Sequence, residues 1–143
     1  KDSILFGAQN YNEEALNFAL HYSGVNEFLQ NFQNNINTSI SDRGINLSLG
    51  QKQRISIARA LYKKPSILIL DEATNSLDLM NEKNILNNLK KLKNEITIIF
   101  ISHKVLSLNV CDYIYLIKDG KIDNEGSFDY LNINSKYFKE LTY

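Results

Sequence analysis

Residues 66–72 read SILILDE. A short apolar, β-branched run that stops at two adjacent carboxylates suits a strand buried on both faces of a parallel sheet. It delivers Asp71 and Glu72 to the strand's carboxyl end. Upstream, Ile55, Ala58, Leu61 and Tyr62 mark a helix that begins near Ser48 and stops before Pro65, because the residue before a proline leaves the helical region. Downstream, residues 79–93 form an amphipathic pattern with Ile85, Leu86, Leu89 and Leu92 inward. EITIIFIS at 95–102 is a second buried strand. Strands alternating with helices predict an α/β layer architecture, with ligands at the carboxyl ends of the strands.

The flanks fit around this unit. YNEEALNFALHY (11–22) places Ala15, Phe18, Ala19 and Tyr22 at helical spacing, and GVNEFLQNF (24–32) predicts a second short helix. QNNINTSISDRGIN (33–46) is polar, lacks a period and reads as loop. Beyond the second strand a short helix is expected around 105–110. A hairpin over 113–126 turning at Asp119-Gly120 follows, then two helical pieces near 127–131 and 134–142. At 143 residues the chain is one domain at most, with 16 basic and 16 acidic residues. That balance gives no electrostatic footprint for nucleic acid or a membrane surface. Cys111 is the single cysteine, so an internal disulfide is excluded and a small buried apolar role is expected. No apolar run approaches the roughly 18 residues that span a bilayer. Membrane work would fall to a partner or to another part of the same polypeptide. The only arginines are Arg43, Arg54 and Arg59, close together in sequence, which points to a need for guanidinium geometry there.

Four stretches carry chemistry. At the first strand end, one carboxylate can hold Mg²⁺ through water, and the second can orient or deprotonate a water that attacks a phosphoryl group. The competing reading is that Asp71-Glu72 merely begins a loop. The second strand ends in Ser102-His103, where the imidazole either donates to a phosphate oxygen or caps a core strand. In NSLD (75–78), Asp78 is an N-cap candidate for the next helix, with Glu82 in its first turn; the alternative is a loop that touches a partner's site. NLSLGQKQR (46–54) has Ser48 and Gln51 at capping-box spacing. The same geometry builds an anion site, with free N–H groups, the positive dipole end, the Ser48 hydroxyl, a close backbone approach at Gly50, and Lys52 and Arg54 nearby. Both readings stand for that window, and Leu49 occupies a place where an approaching phosphate would favour glycine.

Taken in order, these stretches resemble the ATP-binding-cassette (ABC) ATPases. LSLGQKQRISIARAL is similar to their signature motif, usually LSGGQ followed by a basic helix. ILILDE resembles the Walker B strand with its catalytic glutamate, SLD the D-loop, and ISH the switch histidine. YLIKDGKIDNEGSFDYL resembles the closing hairpin and helix of that domain. TSISDRGINLSLGQKQR and DEATNSLD are similar to the exporter patterns, and KDSILFG resembles the segment after the Q-loop in exporters of the multidrug-resistance and multidrug-resistance-associated classes. Two departures stand out: Leu49 replaces the first signature glycine, and Ser41-Asp42 replace Gly-Glu in the preceding loop. No G-x-x-x-x-G-K-[ST] occurs; the one Gly-Lys pair, Gly120-Lys121, is followed by Ile122 and has Tyr115 five residues before its glycine.

The resemblance implies a P-loop NTPase-like parallel sheet with flanking helices, incomplete because the Walker A half is absent, plus part of the ABC helical subdomain. Residues 1–63 would be the helical-subdomain portion with the signature, and 64–143 the C-terminal part of the ATPase core. Asp71 would hold Mg²⁺ through water, Glu72 would act as general base, and His103 would contact the γ-phosphate. Ser48, Gly50 and Gln51 would close over ATP bound to a second nucleotide-binding domain in a head-to-tail dimer, with Asp78 at the seam. The implied setting is the cytoplasmic face of a membrane, beside a transmembrane domain of the same or a partner polypeptide, and no nucleic acid. Alone, the chain is expected to be inactive. The rival readings are a non-catalytic, signature-bearing interaction module and a soluble ABC ATPase acting on nucleic acid or ribosomes.

Overall fold

The computed structural model describes residues 1–40 and 46–142, so Ser41, Asp42 and Arg43 lie outside the described residues. The chain forms two units, Lys1–Ile101 and Ser102–Tyr143. In the first, helices α1 (Asp2–Leu5), α2 (Glu13–Tyr22) and α3 (Asn26–Leu29) precede α4 (Leu49–Tyr62). Strand β1 (Ile67–Asp71), helix α5 (Leu79–Lys90) and strand β2 (Thr97–Ile101) complete it. The 33–46 segment is irregular where described, apart from a 3₁₀ turn at Asn35–Asn37.

Helix α4 organises the first unit. Ile55, Ala58, Leu61 and Tyr62 are buried as their spacing predicts, and α4 packs against both α1 and α2. Tyr62 fastens the second contact: its hydroxyl accepts from the Asn12 N–H at 2.9 Å and donates to the Asn10 carbonyl at 3.0 Å. Asn12 in turn caps α2 by accepting from the Ala15 N–H at 2.8 Å. Two arginines also fasten this helix. Arg59 donates to the Ser3 carbonyl at 2.7 Å, tying α4 to α1. Arg54 donates to the Gly24 carbonyl at 3.1 Å and to Glu27 at 2.8 Å, tying α4 to the start of α3. Arg54 is therefore a fastener paired with a carboxylate, a role that its place in NLSLGQKQR does not announce.

Strands β1 and β2 are parallel, in a register running from Ile67↔Thr97 to Asp71↔Ile101. Their burial departs from the sequence reading. Leu68 and Leu70 are buried, and Ile98 and Phe100 pack against the same core, which Ile85, Leu89 and Leu92 also enter. On the opposite face Ile67, Ile69, Ile99 and Ile101 are exposed. The strands are thus covered on one face rather than two. An isoleucine-rich run permits burial on both sides, but the helices that bury this sheet all contribute to the core on a single side.

In the second unit, a 3₁₀ segment (Val105–Val110) leads into β3 (Ile114–Lys118) and β4 (Lys121–Gly126), an antiparallel pair with an irregularity between Leu116 and Ile117. Asp119 and Gly120 both take positive φ, 51° and 72°, the twin left-handed geometry that a two-residue hairpin requires. Helices α6 (Phe128–Asn134) and α7 (Lys136–Thr142) close this unit over Val105, Ile114, Leu116, Leu131 and Phe138. Cys111 is half-buried and packs against that cluster.

Ile85 is fully enclosed by the first core. Ile85→Ala in the whole chain is expected to cost about 2–5 kcal/mol through lost burial and the cavity left behind. Urea unfolding, with a lower midpoint at an unchanged slope, is the measurement.

Candidate functional site

The site begins with the start of α4. Ser48 is extended (φ −61°, ψ 158°), its hydroxyl accepts from the Gln51 N–H at 3.2 Å, and its own N–H donates to Gln51 Oε1 at 2.9 Å. The capping box read from the spacing is therefore formed. Gly50 follows on the same turn, and the absence of a side chain there has a local cause. A Cβ at Gly50 would lie 2.9 Å from Leu77 Cδ2 and 3.2 Å from the Ser76 carbonyl oxygen. One turn on, Gln53 Oε1 accepts from the Ser76 N–H at 3.3 Å. The start of α4 and the 76–78 segment thus share walls of one polar cleft of about 280 Å³, lined by Ser48, Gly50, Gln51 and Asp78 among others. Leu49 is not among its lining residues, and its side chain is 64% exposed. The leucine in the signature therefore leaves the cleft open.

Asp78 caps α5. Its carboxylate accepts from the Asn81 N–H at 3.0 Å and also from the Asn81 side-chain amide. These bonds, the backbone one first, hold the carboxyl below the usual carboxylate range. Four residues further into the helix, buried Glu82 accepts from the Thr74 hydroxyl at 2.8 Å. The loop between β1 and α5 is thereby pinned from beneath.

Asp71 ends β1 opposite Ile101, and both Asp71 and Glu72 are exposed. Glu72 carries a φ of +50°, uncommon for a residue with a side chain, and such conformations concentrate at functional sites. Its N–H donates to the Ile101 carbonyl at 3.0 Å, and the Asn75 amide donates to its Oε2 at 3.0 Å. The carboxylate is thus held at the strand's carboxyl end by backbone and side chain together. Among the described residues no group of three or more His, Cys, Asp or Glu is placed to hold a metal ion. A cage built wholly of protein ligands does not fit here. A single hard carboxylate at Asp71 fits Mg²⁺, which retains most of its water.

His103 belongs to the second unit. It is exposed, in a bend where Ser102 Oγ accepts from the Lys104 N–H at 3.0 Å. Of the residues singled out from sequence, Ser48, Gly50, Gln51 and Asp78 converge on one cleft, and Asp71 and Glu72 share the end of β1. Three contributors were missed. Gln53 sits three residues after Gly50, a spacing that puts both on one helix face, so a signal existed. Asn75 and Thr74, whose hydroxyl donates to Glu82, depend on how the loop folds back, and no spacing announces them.

A profile of the ABC transporter family matches residues 6–75. The chain belongs to the ABC transporter family, as part of a nucleotide-binding domain. Its likeness is to exporters. It is 41% identical over 141 residues to a protein of Rickettsia typhi named for export as an ATP-binding/permease protein, covering 99% of this chain and 24% of that one. It is 34% identical over 142 residues to ABC transporter B family member 14 of Arabidopsis thaliana, covering 99% of this chain and 11% of the relative. A solved structure of a bacterial Atm1-family ABC exporter with ATP bound matches at a TM-score of 0.86 and 28% identity, over 98% of this chain and 25% of that one. The chain thus spans about a quarter or less of the length of these relatives. Among the described residues no helix is long and apolar enough to cross a membrane.

Two outcomes follow from this packing. Alanine in a helix is ordinarily preferred to glycine by about 1 kcal/mol, yet Gly50→Ala is expected to destabilise by about 1–3 kcal/mol because Leu77 and Ser76 must move; thermal unfolding decides the sign. Because Asp78 is more acidic folded than unfolded, its contribution is complete above the usual carboxylate range and is lost as pH falls through its lowered value. Asp78→Asn keeps a capping acceptor without the titration. The variant should therefore lose stability less steeply than the parent below about pH 4 in acid unfolding.

Proposed function

We propose that this chain supplies part of the motor of an ABC exporter, which binds and hydrolyses ATP to drive movement of a substrate across a membrane. What supports this above all is the shared cleft, which joins Ser48, Gly50 and Gln51 of the signature to Asp78 of the D-loop on one surface. In this reading residues 1–63 carry the helical-subdomain portion and 64–143 the C-terminal part of the ATPase core. The domain works on the cytoplasmic face of a membrane, joined to a transmembrane domain and paired head to tail with a second nucleotide-binding domain.

The residues divide the chemistry by position. Glu72 is the general base: its carboxylate, steadied by Asn75, takes a proton from the water that attacks the γ-phosphorus. Asp71 would hold Mg²⁺ through water, and an ion held there would supply positive charge against the phosphate oxygens. His103 donates to the γ-phosphate. Ser48, Gly50 and Gln51 face the nucleotide of the partner domain, and the capping box equips them for it. The Ser48 oxygen accepts from Gln51, and its O–H still carries a donor for a phosphate oxygen. The first N–H groups of α4, which have no partner inside the helix, point the same way with the positive end of the dipole. The capping and anion readings of NLSLGQKQR are then one arrangement.

The test is ATP turnover by the full-length polypeptide that carries this chain. Glu72→Gln keeps the side chain's shape and its contact with Asn75 but removes the base, so turnover should fall about 10²–10⁴-fold. Unchanged turnover in that variant overturns the assignment of the base.

A further inference from the structure

We propose that Gln53 is a positioning residue that locks the Ser76 peptide to the start of α4, so that the signature and the D-loop meet the partner's nucleotide as one rigid surface. The inference rests on the reading of the site given above and adds to it a side chain outside the signature proper. The geometry carries it from two sides of one peptide group. The Ser76 N–H donates to Gln53 Oε1 at 3.3 Å. The Ser76 carbonyl oxygen and Leu77 Cδ2 fill the space that a side chain at position 50 would occupy. Positions 50 and 53 lie one turn apart on the same face of α4. The Ser76 peptide is therefore seated in a slot, with glycine as its floor and an amide oxygen as its latch.

What the slot holds is already fixed at its far end. Leu77 is buried in the first core, and Asp78 is committed to capping α5. Sliding the 76–78 segment along α4 breaks the Gln53 bond and lifts Leu77 from Gly50 together. The cleft residues Ser48, Gly50 and Asp78 are thus held at constant spacing by a group that does not itself line the cleft. Gln53 is only half-buried, so a leucine there can be packed, and what the site requires from it is an acceptor. A glutamate oxygen meets that requirement and a leucine does not.

The experiment compares Gln53→Leu and Gln53→Glu in the full-length polypeptide that carries this chain, with Glu72→Gln as a parallel arm. Misplacement of positioned groups costs rate in the reacting complex more than ground-state affinity, so Gln53→Leu should lower kcat about tenfold with KM for ATP within about twofold of the parent. Gln53→Glu should stay within about twofold of the parent in kcat. Amide exchange at Ser76 should quicken in the leucine variant alone, which ties any lost turnover to the latch rather than to misfolding. Parent-like turnover in Gln53→Leu overturns the proposal, as does a loss confined to KM or an equal fall in Gln53→Glu. If Glu72→Gln retains turnover, the reading of the site falls and the proposal with it. If Glu72→Gln loses turnover while Gln53→Leu is parent-like, only the latch is wrong.

Discussion

The parallel register of β1 on β2 is the constraint on which the first unit depends. Strand side chains alternate with a period of two, so a slip of one residue would turn Leu68 and Leu70 outward and bring Ile67 and Ile69 in. It would also shift Asp71 away from Ile101 and break the bond from the Glu72 N–H to the Ile101 carbonyl. The left-handed backbone at Glu72 survives because that bond and the Asn75 amide hold it from either end. Position of the carboxylate is thus set by strand pairing first and by its own loop second.

Helix α4 translates that order to the other half of the site. One face of it is committed to α1 and α2 through Leu61, Tyr62 and Arg59, and its first turn is committed to the 76–78 segment through Gly50. Arg54 sits between these two tasks. With 6% of its surface exposed, it must be paired to be tolerated, and Glu27 and the Gly24 carbonyl supply the partners. The start of the helix is held by its capping box and by the 76–78 segment, apart from the contacts that hold its body. That matters for a surface whose proposed ligand lies on another domain, because nothing in the chain itself would re-form it on contact.

Much of this was legible in the sequence for reasons that are local. The α4 pattern, the capping box at Ser48 and Gln51, the Asp78 cap and the Asp119-Gly120 hairpin each depend on residues within one turn of one another. So did the apolar stripe of α5, although Leu92 is buried just beyond the helix end at Lys90. The less local features were not legible. The fastening role of Arg54 is hidden because its partner Glu27 lies 27 residues earlier. The packing need for glycine at position 50 is likewise not legible, because Leu77 and Ser76, which occupy the place of its side chain, lie more than 25 residues later. The strands were read as covered on both faces because composition records how apolar a strand is and not what stands above it.

That uncovered face has a consequence for how the chain behaves in water. Ile67, Ile69, Ile99 and Ile101 form an exposed β-branched surface on a sheet of two strands, each with an unpaired outer edge among the described residues. Open edges and contiguous apolar patches of this kind recruit other strands and promote aggregation. The face and the two edges are separate demands: packing on the isoleucines removes the apolar surface, and only a further strand pairs the open backbone groups.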